Sequence, residues 1–118
     1  MHEVSIARNV VDHVVRSVDP DDLDRVGLVR LRIGDMSGVV ADSLEFCFSA
    51  IVQGTPLEHA RIEIESLPFV IRCRTCGERS SNVLGIAVCE LCGSSDTHVE
   101  SGMELDIVSL ELREQLPV

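Results

Sequence analysis

The sequence contains no tryptophan, no tyrosine and no lysine, and its aromatic content is only 3%. The hydrophobic core must therefore be built mainly from valine, isoleucine and leucine. Twenty acidic residues against ten arginines give a net charge of −10, which repels a phosphate backbone and argues against a nucleic-acid-binding module. A glycine-rich phosphate loop is absent, and no nucleophile is placed beside a base, so we expect no enzymatic activity.

The chain also lacks a basic N-terminal region followed by an apolar segment, and no run approaches the roughly 20 apolar residues that span a bilayer. We therefore expect a cytoplasmic protein that does not interact with membranes. Cysteines remain thiols in that reducing compartment unless a metal binds them. A chain of 118 residues has room for one modest core, and small domains with thin cores are often stabilised by a metal.

The most informative stretch is CRTCGERSSNVLGIAVCELCG, which begins at Cys73. It contains two Cys-x-x-Cys-Gly knuckles with twelve residues between Cys76 and Cys89, a spacing typical of a zinc ribbon. We expect Gly77 and Gly93 to adopt positive φ, which turns the following backbone amides toward the sulfurs. The predicted zinc ligands are Cys73, Cys76, Cys89 and Cys92.

Two roles are open for this predicted zinc site. A structural role, in which the metal replaces a core that about thirty residues cannot build, is favoured because no further cysteine or histidine except His98 lies near the knuckles. A sensor role, in which a change at the thiolates alters the rest of the molecule, is the alternative. Rubredoxin-type electron-transfer modules hold Fe(Cys)4 centres on the same doubled knuckles, so metal analysis is needed to distinguish iron from zinc.

Hydrophobic spacing predicts an α+β fold with two helices, at about 4–18 and 37–54, and strands at 26–33, 60–69 and 103–112. The simplest arrangement places the two helices on a three-stranded, mainly antiparallel sheet, with the zinc ribbon inserted between two of its strands. The expected domains are an α/β domain of residues 1–69 plus 102–118 and a zinc-ribbon domain of residues 70–101.

The N-terminus, Met1-His2-Glu3, offers a second group of potential ligands. A free terminal amine, a deprotonated backbone nitrogen and the imidazole of His2 can form fused chelate rings around one cation. Nitrogen donors in one plane suit Ni(II) or Cu(II). A histidine at position 2 is common by chance, however, so this motif does not establish a metal site by itself.

The stretches MHEVSIA, IGDMSGV and SLEFCF, together with the two knuckles, resemble the HypA/HybF family of hydrogenase maturation nickel chaperones over essentially the whole chain. The resemblance implies that nickel is bound by the Met1 amine, His2 and Glu3, the last through its backbone nitrogen or its carboxylate. It also implies a structural zinc on the four cysteines. Some family members place an acidic residue near position 40, where this chain has Val40; Asp42 is a nearby candidate that we do not assign as a ligand.

The function implied by the resemblance is metal delivery without chemical turnover. The protein would bind Ni(II) at its N-terminus and pass it toward the large subunit of a [NiFe] hydrogenase, with the GTPase HypB as partner. The alternatives are a rubredoxin-type electron-transfer module and a zinc-ribbon interaction adaptor without nickel function. The adaptor hypothesis predicts that His2→Ala leaves every phenotype unchanged.

Overall fold

A computed structural model describes residues 3–114 of the chain. These residues form two α-helices, one short 3₁₀ helix and six strands. In chain order the elements are α1 (Glu3–Ser17), the 3₁₀ helix (Pro20–Arg25), β1 (Val26–Gly34), α2 (Ala41–Val52), β2 (Arg61–Leu67), β3 (Val70–Cys73), β4 (Arg79–Ser80), β5 (Thr97–Ser101) and β6 (Leu105–Leu112). The predicted α+β class is confirmed. Within residues 3–114, no helix has both the length and the apolar character required to span a membrane.

The chain divides into two compact units. Unit 1 comprises Met1–Leu31, Val39–Ile64 and Ile107–Val118. Unit 2 comprises Arg32–Gly38 and Glu65–Asp106. The domain boundaries expected from the sequence, 1–69 with 102–118 and 70–101, remain a prediction.

Three strands form one sheet in the order β2-β1-β6. The Gly34 amide donates to the carbonyl of Glu104 at one end of the β1–β6 pair, and the Arg113 amide donates to the carbonyl of Arg25 at the other end. Residue numbers therefore rise along β1 as they fall along β6, which makes this pair antiparallel.

The polar face of the same sheet carries cross-strand ion pairs. Arg30 lies 3.3 Å from Glu63, and Arg32 lies 3.1 Å from Glu65. In these two pairs the residue numbers rise together along β1 and β2, so the two strands are parallel. The connection between them contains the crossover helix α2. Arg30 also binds Glu111 of β6 at 3.2 Å, so charges on all three strands are paired across the exposed face.

The core of unit 1 is almost entirely aliphatic, as the composition requires. Its helices contribute Ile6, Ala7, Val10 and Val14 from α1 and Leu44, Phe48 and Val52 from α2. Val4 and Val15 share the helical spacing of the apolar residues on α1, which predicts burial, but they are 47% and 45% exposed. The buried stripe is therefore narrower than the valine pattern predicts, and Ile6 belongs to it.

Helix α2 begins at Ala41 and not near Ser37 as predicted. Gly38 has φ of +82°, a left-handed conformation that a right-handed helix cannot contain. Val40 is the extended N-cap residue and provides no side-chain cap. The apolar spacing before Ala41 therefore belongs to a turn and an extended segment.

Unit 2 contains the second sheet, with the strand order β4-β3-β5 and both pairings antiparallel. The fully buried Ile71 lies at its centre, opposite Ser80 on one side and Val99 on the other. The strand predicted for 60–69 corresponds to β2, which ends at Leu67, and Pro68 and Phe69 separate it from β3, because proline cannot donate a ladder hydrogen bond.

Candidate metal centre

The four cysteines of the two knuckles converge on one point in unit 2. Their Sγ atoms all lie within 4.8 Å of one another, and no other group of three or more potential metal ligands occurs among residues 3–114. The Sγ atoms of Cys73 and Cys92 are 3.6 Å apart, and those of Cys76 and Cys89 are 3.7 Å apart. Four Zn–S bonds of about 2.3 Å in a tetrahedron place sulfurs about 3.8 Å apart, whereas a disulfide needs about 2.05 Å. The donor set therefore fits a tetrahedral metal ion and not a pair of disulfides.

Both knuckles are built by the same backbone turn. The Gly77 amide donates to the Cys73 carbonyl at 2.9 Å, and the Gly93 amide donates to the Cys89 carbonyl at 2.8 Å. Gly77 and Gly93 have φ of +79° and +76°, so the predicted positive φ is confirmed at both positions. The Cys76 amide also lies 3.4 Å from the Cys73 sulfur as a donor, which stabilises negative charge on that thiolate.

The four neighbouring thiols cannot all ionise easily without a cation. The backbone amide of Cys76 lowers the pKa of the Cys73 thiol to about 6. The amide of Ser94 favours the Cys92 thiolate, but the adjacent sulfur of Cys73 and partial burial raise the pKa of Cys92 to about 12. Ionisation of one sulfur therefore opposes ionisation of the next. A bound divalent cation removes this conflict, because it attracts all four thiolates at once.

Burial alternates around the cluster. Cys73 and Cys89 are buried, whereas Cys76 and Cys92 are exposed. A metal at this position would be bound by two buried sulfurs, and a chelator could reach it from the solvent side, where the other two sulfurs are exposed. The fifth cysteine, Cys47 on α2, is half-buried and lies outside the cluster.

Ion pairs brace the strands beside the cluster. Glu100 on β5 accepts from Arg72 at 2.6 Å and lies 3.0 Å from Arg79. The hydrogen bond from Arg72, followed by that from Arg79, lowers the pKa of the Glu100 carboxyl. Arg74 pairs with Asp96 at 3.2 Å. All three pairs link strands or turns that lead into the knuckles.

The predicted nickel ligands are only partly within the described residues. Met1 and His2 lie outside them, and Glu3 is the first residue of α1. The Glu3 carboxylate accepts a hydrogen bond from the Ser43 hydroxyl of α2 at 3.3 Å. Asp42 is exposed in the first turn of α2. Within residues 3–114, neither Glu3 nor Asp42 belongs to a group of three or more potential metal ligands.

Comparison with known proteins then decides the family. A family model described as "Hydrogenase/urease nickel incorporation, metallochaperone, hypA" matches residues 1–112. The chain belongs to the HypA family. The resemblance noted from the sequence motifs is thereby confirmed, and the family is one of hydrogenase maturation factors.

Curated HypA relatives match nearly the full length. The hydrogenase maturation factor HypA of Chlorobium phaeobacteroides (strain BS1) is 38% identical over 112 residues, which cover 95% of this chain and 99% of the relative. The corresponding factor of Desulfosudis oleivorans is 39% identical over 116 residues, covering 97% of this chain and 100% of the relative.

Two solved structures share the HypA fold. The solution structure of the Ni metallochaperone HypA from Helicobacter pylori has a TM-score of 0.67 and 21% identity, and the match covers 98% of this chain and 100% of that one. A second HypA solution structure has a TM-score of 0.68 and 22% identity, with coverage of 95% and 96%. At these identities the similarity demonstrates the fold.

Two features of this HypA-family chain had no signal in the sequence. The contact between Glu3 and Ser43 joins residues forty positions apart, and although both residues belong to stretches that resemble the family, neither stretch predicts that they meet. The ion pairs of Glu100 with Arg72 and Arg79 likewise depend on the register of β3, β4 and β5. Both contacts become visible only when the strands and helices are assembled.

Proposed function

We propose that this chain is a nickel metallochaperone of the cytoplasm that binds Ni(II) at its N-terminus and delivers it during maturation of a [NiFe] hydrogenase. The observation that carries the proposal is the family match, which begins at residue 1 and extends to residue 112. A HypB-type GTPase and the hydrogenase large subunit are the proposed partners. Delivery is a ligand exchange and requires no catalytic residue.

The proposed nickel ligands are the Met1 amine, the His2 imidazole and the backbone nitrogens of His2 and Glu3. The start of α1 at Glu3 supports this set. The first four amides of a helix have no intrahelical acceptor, so deprotonation of the Glu3 nitrogen breaks no helical hydrogen bond. The positive end of the helix dipole disfavours a cation there, and the Glu3 carboxylate offsets that penalty.

We assign the acidic contribution to Glu3 and not to Asp42. Glu3 is part of the chelating tripeptide, and its carboxylate is oriented by Ser43. Asp42 is exposed, and it belongs to no group of three or more potential metal ligands among residues 3–114. A site made of one amine, one imidazole and backbone nitrogens lies open on one side, so a partner can displace its donors one at a time.

The proposed resident metal of the ribbon is zinc, held by Cys73, Cys76, Cys89 and Cys92. When bound, it supplies a structural cross-link between the two knuckles. The proposed ribbon domain covers residues 70–101, and the nickel-binding domain covers residues 1–69 and 102–118. The structural role is favoured over a sensor role, because no further cysteine or histidine joins the four sulfurs within the described residues.

Nickel titration of variants tests the proposal. We expect one Ni(II) site per chain in the untagged protein and at least about 10-fold weaker binding in His2→Ala, because a ligand lost from the metal weakens binding at least as much as loss of an outer-shell partner does. His13→Ala is the matched control, since His13 is an exposed histidine on α1. Equal affinities of His2→Ala and the native protein would reject the N-terminal site and favour an adaptor without nickel function.

A further inference from the structure

A cavity in unit 1 is lined by basic side chains, although the chain as a whole is acidic. It measures about 320 Å³ and lies among the start of β1, the approach to β2 and the end of β6. His59, Arg61 and Arg113 contribute to its lining, and we call this cavity the basic pocket. Three basic side chains converge there in a chain whose net charge is −10.

Arg113 is held in place by backbone groups. Its amide donates to the Arg25 carbonyl at 2.6 Å, and its Nη2 donates to the Asp24 carbonyl at 2.8 Å. Arg25 Nε donates in turn to the Arg113 carbonyl at 2.9 Å. The acceptors of Arg113 are neutral carbonyls, so these contacts fix its guanidinium without neutralising the charge.

Gly27 makes room for this arrangement. A Cβ atom at position 27 would lie 2.8 Å from Cγ of Arg113 and 3.3 Å from its Cδ. The aliphatic part of the Arg113 side chain therefore lies directly over the β1 backbone. Any larger residue at position 27 would have to displace the arginine.

One carboxylate, that of Glu111, also lines the basic pocket, and a second, that of Glu58, lies next to His59. Glu111 binds Arg30 at 3.2 Å. Glu58 accepts from the Gly54 amide at 3.4 Å and lies 3.6 Å from His59. Among residues 3–114, by contrast, neither Arg61 nor Arg113 forms an ion pair. The pocket thus contains two guanidinium groups without an ion-pair partner among the described residues, together with one carboxylate that is paired with Arg30.

We propose that the basic pocket binds a small phosphate-type dianion through Arg61 and Arg113, with His59 as an additional donor. Planar guanidinium forks match the oxygens of phosphate and hold them with paired, charge-assisted hydrogen bonds. The volume lies at the lower end of the range for small-molecule sites, which suits a phosphate group and not a large ligand. The phosphate could arrive as the free inorganic ion or as the terminal group of a phosphate ester. This proposal is independent of the nickel function.

The test is an amide chemical-shift titration of the full chain with inorganic phosphate, at constant low ionic strength maintained with sodium chloride. We expect saturable shifts centred on Gly27, Arg61 and Arg113. Arg61→Gln should weaken the apparent affinity at least about fivefold, whereas Arg16→Gln, an exposed arginine on α1 with the same charge change, should alter it less than twofold. Arg61 is exposed and without an ion pair among the described residues, so its substitution should leave the fold intact.

Two results would overturn the proposal. One is a set of shifts that do not saturate or that are no larger at the basic pocket than around Arg16. The other is equal weakening by Arg61→Gln and Arg16→Gln, which would show an effect of net charge alone. Parallel titration with glycerol phosphate identifies the source. Tighter binding of the ester indicates an ester ligand, and equal or weaker binding indicates the free ion; both support the site.

Discussion

Glu100 is an acidic side chain in unit 2 that forms ion pairs with two arginines. Arg72 and Arg79 approach its two carboxylate oxygens at 2.6 Å and 3.0 Å from neighbouring strands. The carboxylate therefore links β5 to β3 and β4, and these strands lead into the first knuckle. A charge held this way stabilises the fold only while the carboxyl group remains ionised.

Glu100→Gln is accordingly expected to lower the urea midpoint at pH 7. Because the folded-state pKa of Glu100 is lowered, its stabilisation is present above the unfolded pKa of ~4.3 and is lost as the pH falls through the folded value. The difference between the native protein and the variant should therefore stay nearly constant from pH 7 to about pH 5 and shrink as the pH falls below about 4. Glu45→Gln, an exposed acid on α2, is the control. A difference that grows toward acid, or one equal to that of Glu45→Gln, would contradict this role.

The basic pocket shows how far a single residue depends on distant neighbours. Arg61 is the first residue of β2 and Arg113 follows β6, and nothing in their local sequence predicts that they share a cavity. Gly27 on β1 carries no chemical group, yet it permits Arg113 to lie where it does. Sites of this kind depend on tertiary assembly and leave no spacing pattern in the chain.

At the scale of elements, the knuckles were the most predictable part of the molecule. Their cysteine spacing and the following Gly77 and Gly93 specify a local turn, and local turns can be read from sequence. The start of α2 was predicted too early, because the positive φ of Gly38 interrupts an apolar pattern that otherwise continues. Strand β5 was missed since its residues are mostly exposed and do not alternate between buried and exposed positions.

The folded state of the ribbon should depend on its bound metal. We expect one zinc per chain in the purified, colourless protein, and loss of that zinc in Cys76→Ser. Removal of the metal should abolish amide protection in residues 70–101 while the helical circular-dichroism signal of α1 and α2 persists, because the ribbon has a thin core of its own. Cys47→Ser, which changes the cysteine outside the cluster, is the matched control and should retain the zinc.

Two results would contradict that account of the ribbon. A red protein containing iron and no zinc would favour the rubredoxin-type alternative. Equal zinc content in Cys76→Ser and Cys47→Ser would show that the four sulfurs do not act as one ligand set. Exposure of Cys76 and Cys92 makes the chelation experiment practical, because a chelator can approach from the solvent side.

For the whole molecule, membership of the HypA family and the position of Glu3 at the start of α1 lead to one account. In the function proposed above, the ribbon would hold a structural metal and the N-terminus would carry the cargo metal. The family could be recognised from motifs spread over the chain, whereas the geometry at Met1 and His2 lies outside the described residues. The nickel site therefore needs a direct test in solution.

That test is acetylation of the Met1 amine, which converts the terminal amine into an amide and leaves the side chains in place, since the chain contains no lysine. The account predicts that nickel affinity falls at least about 10-fold and that the absorption band of planar Ni(II) disappears, while zinc content and helical signal stay unchanged. Unchanged nickel affinity and an unchanged spectrum in the acetylated protein would contradict the central claim, because the terminal amine would then not be a ligand.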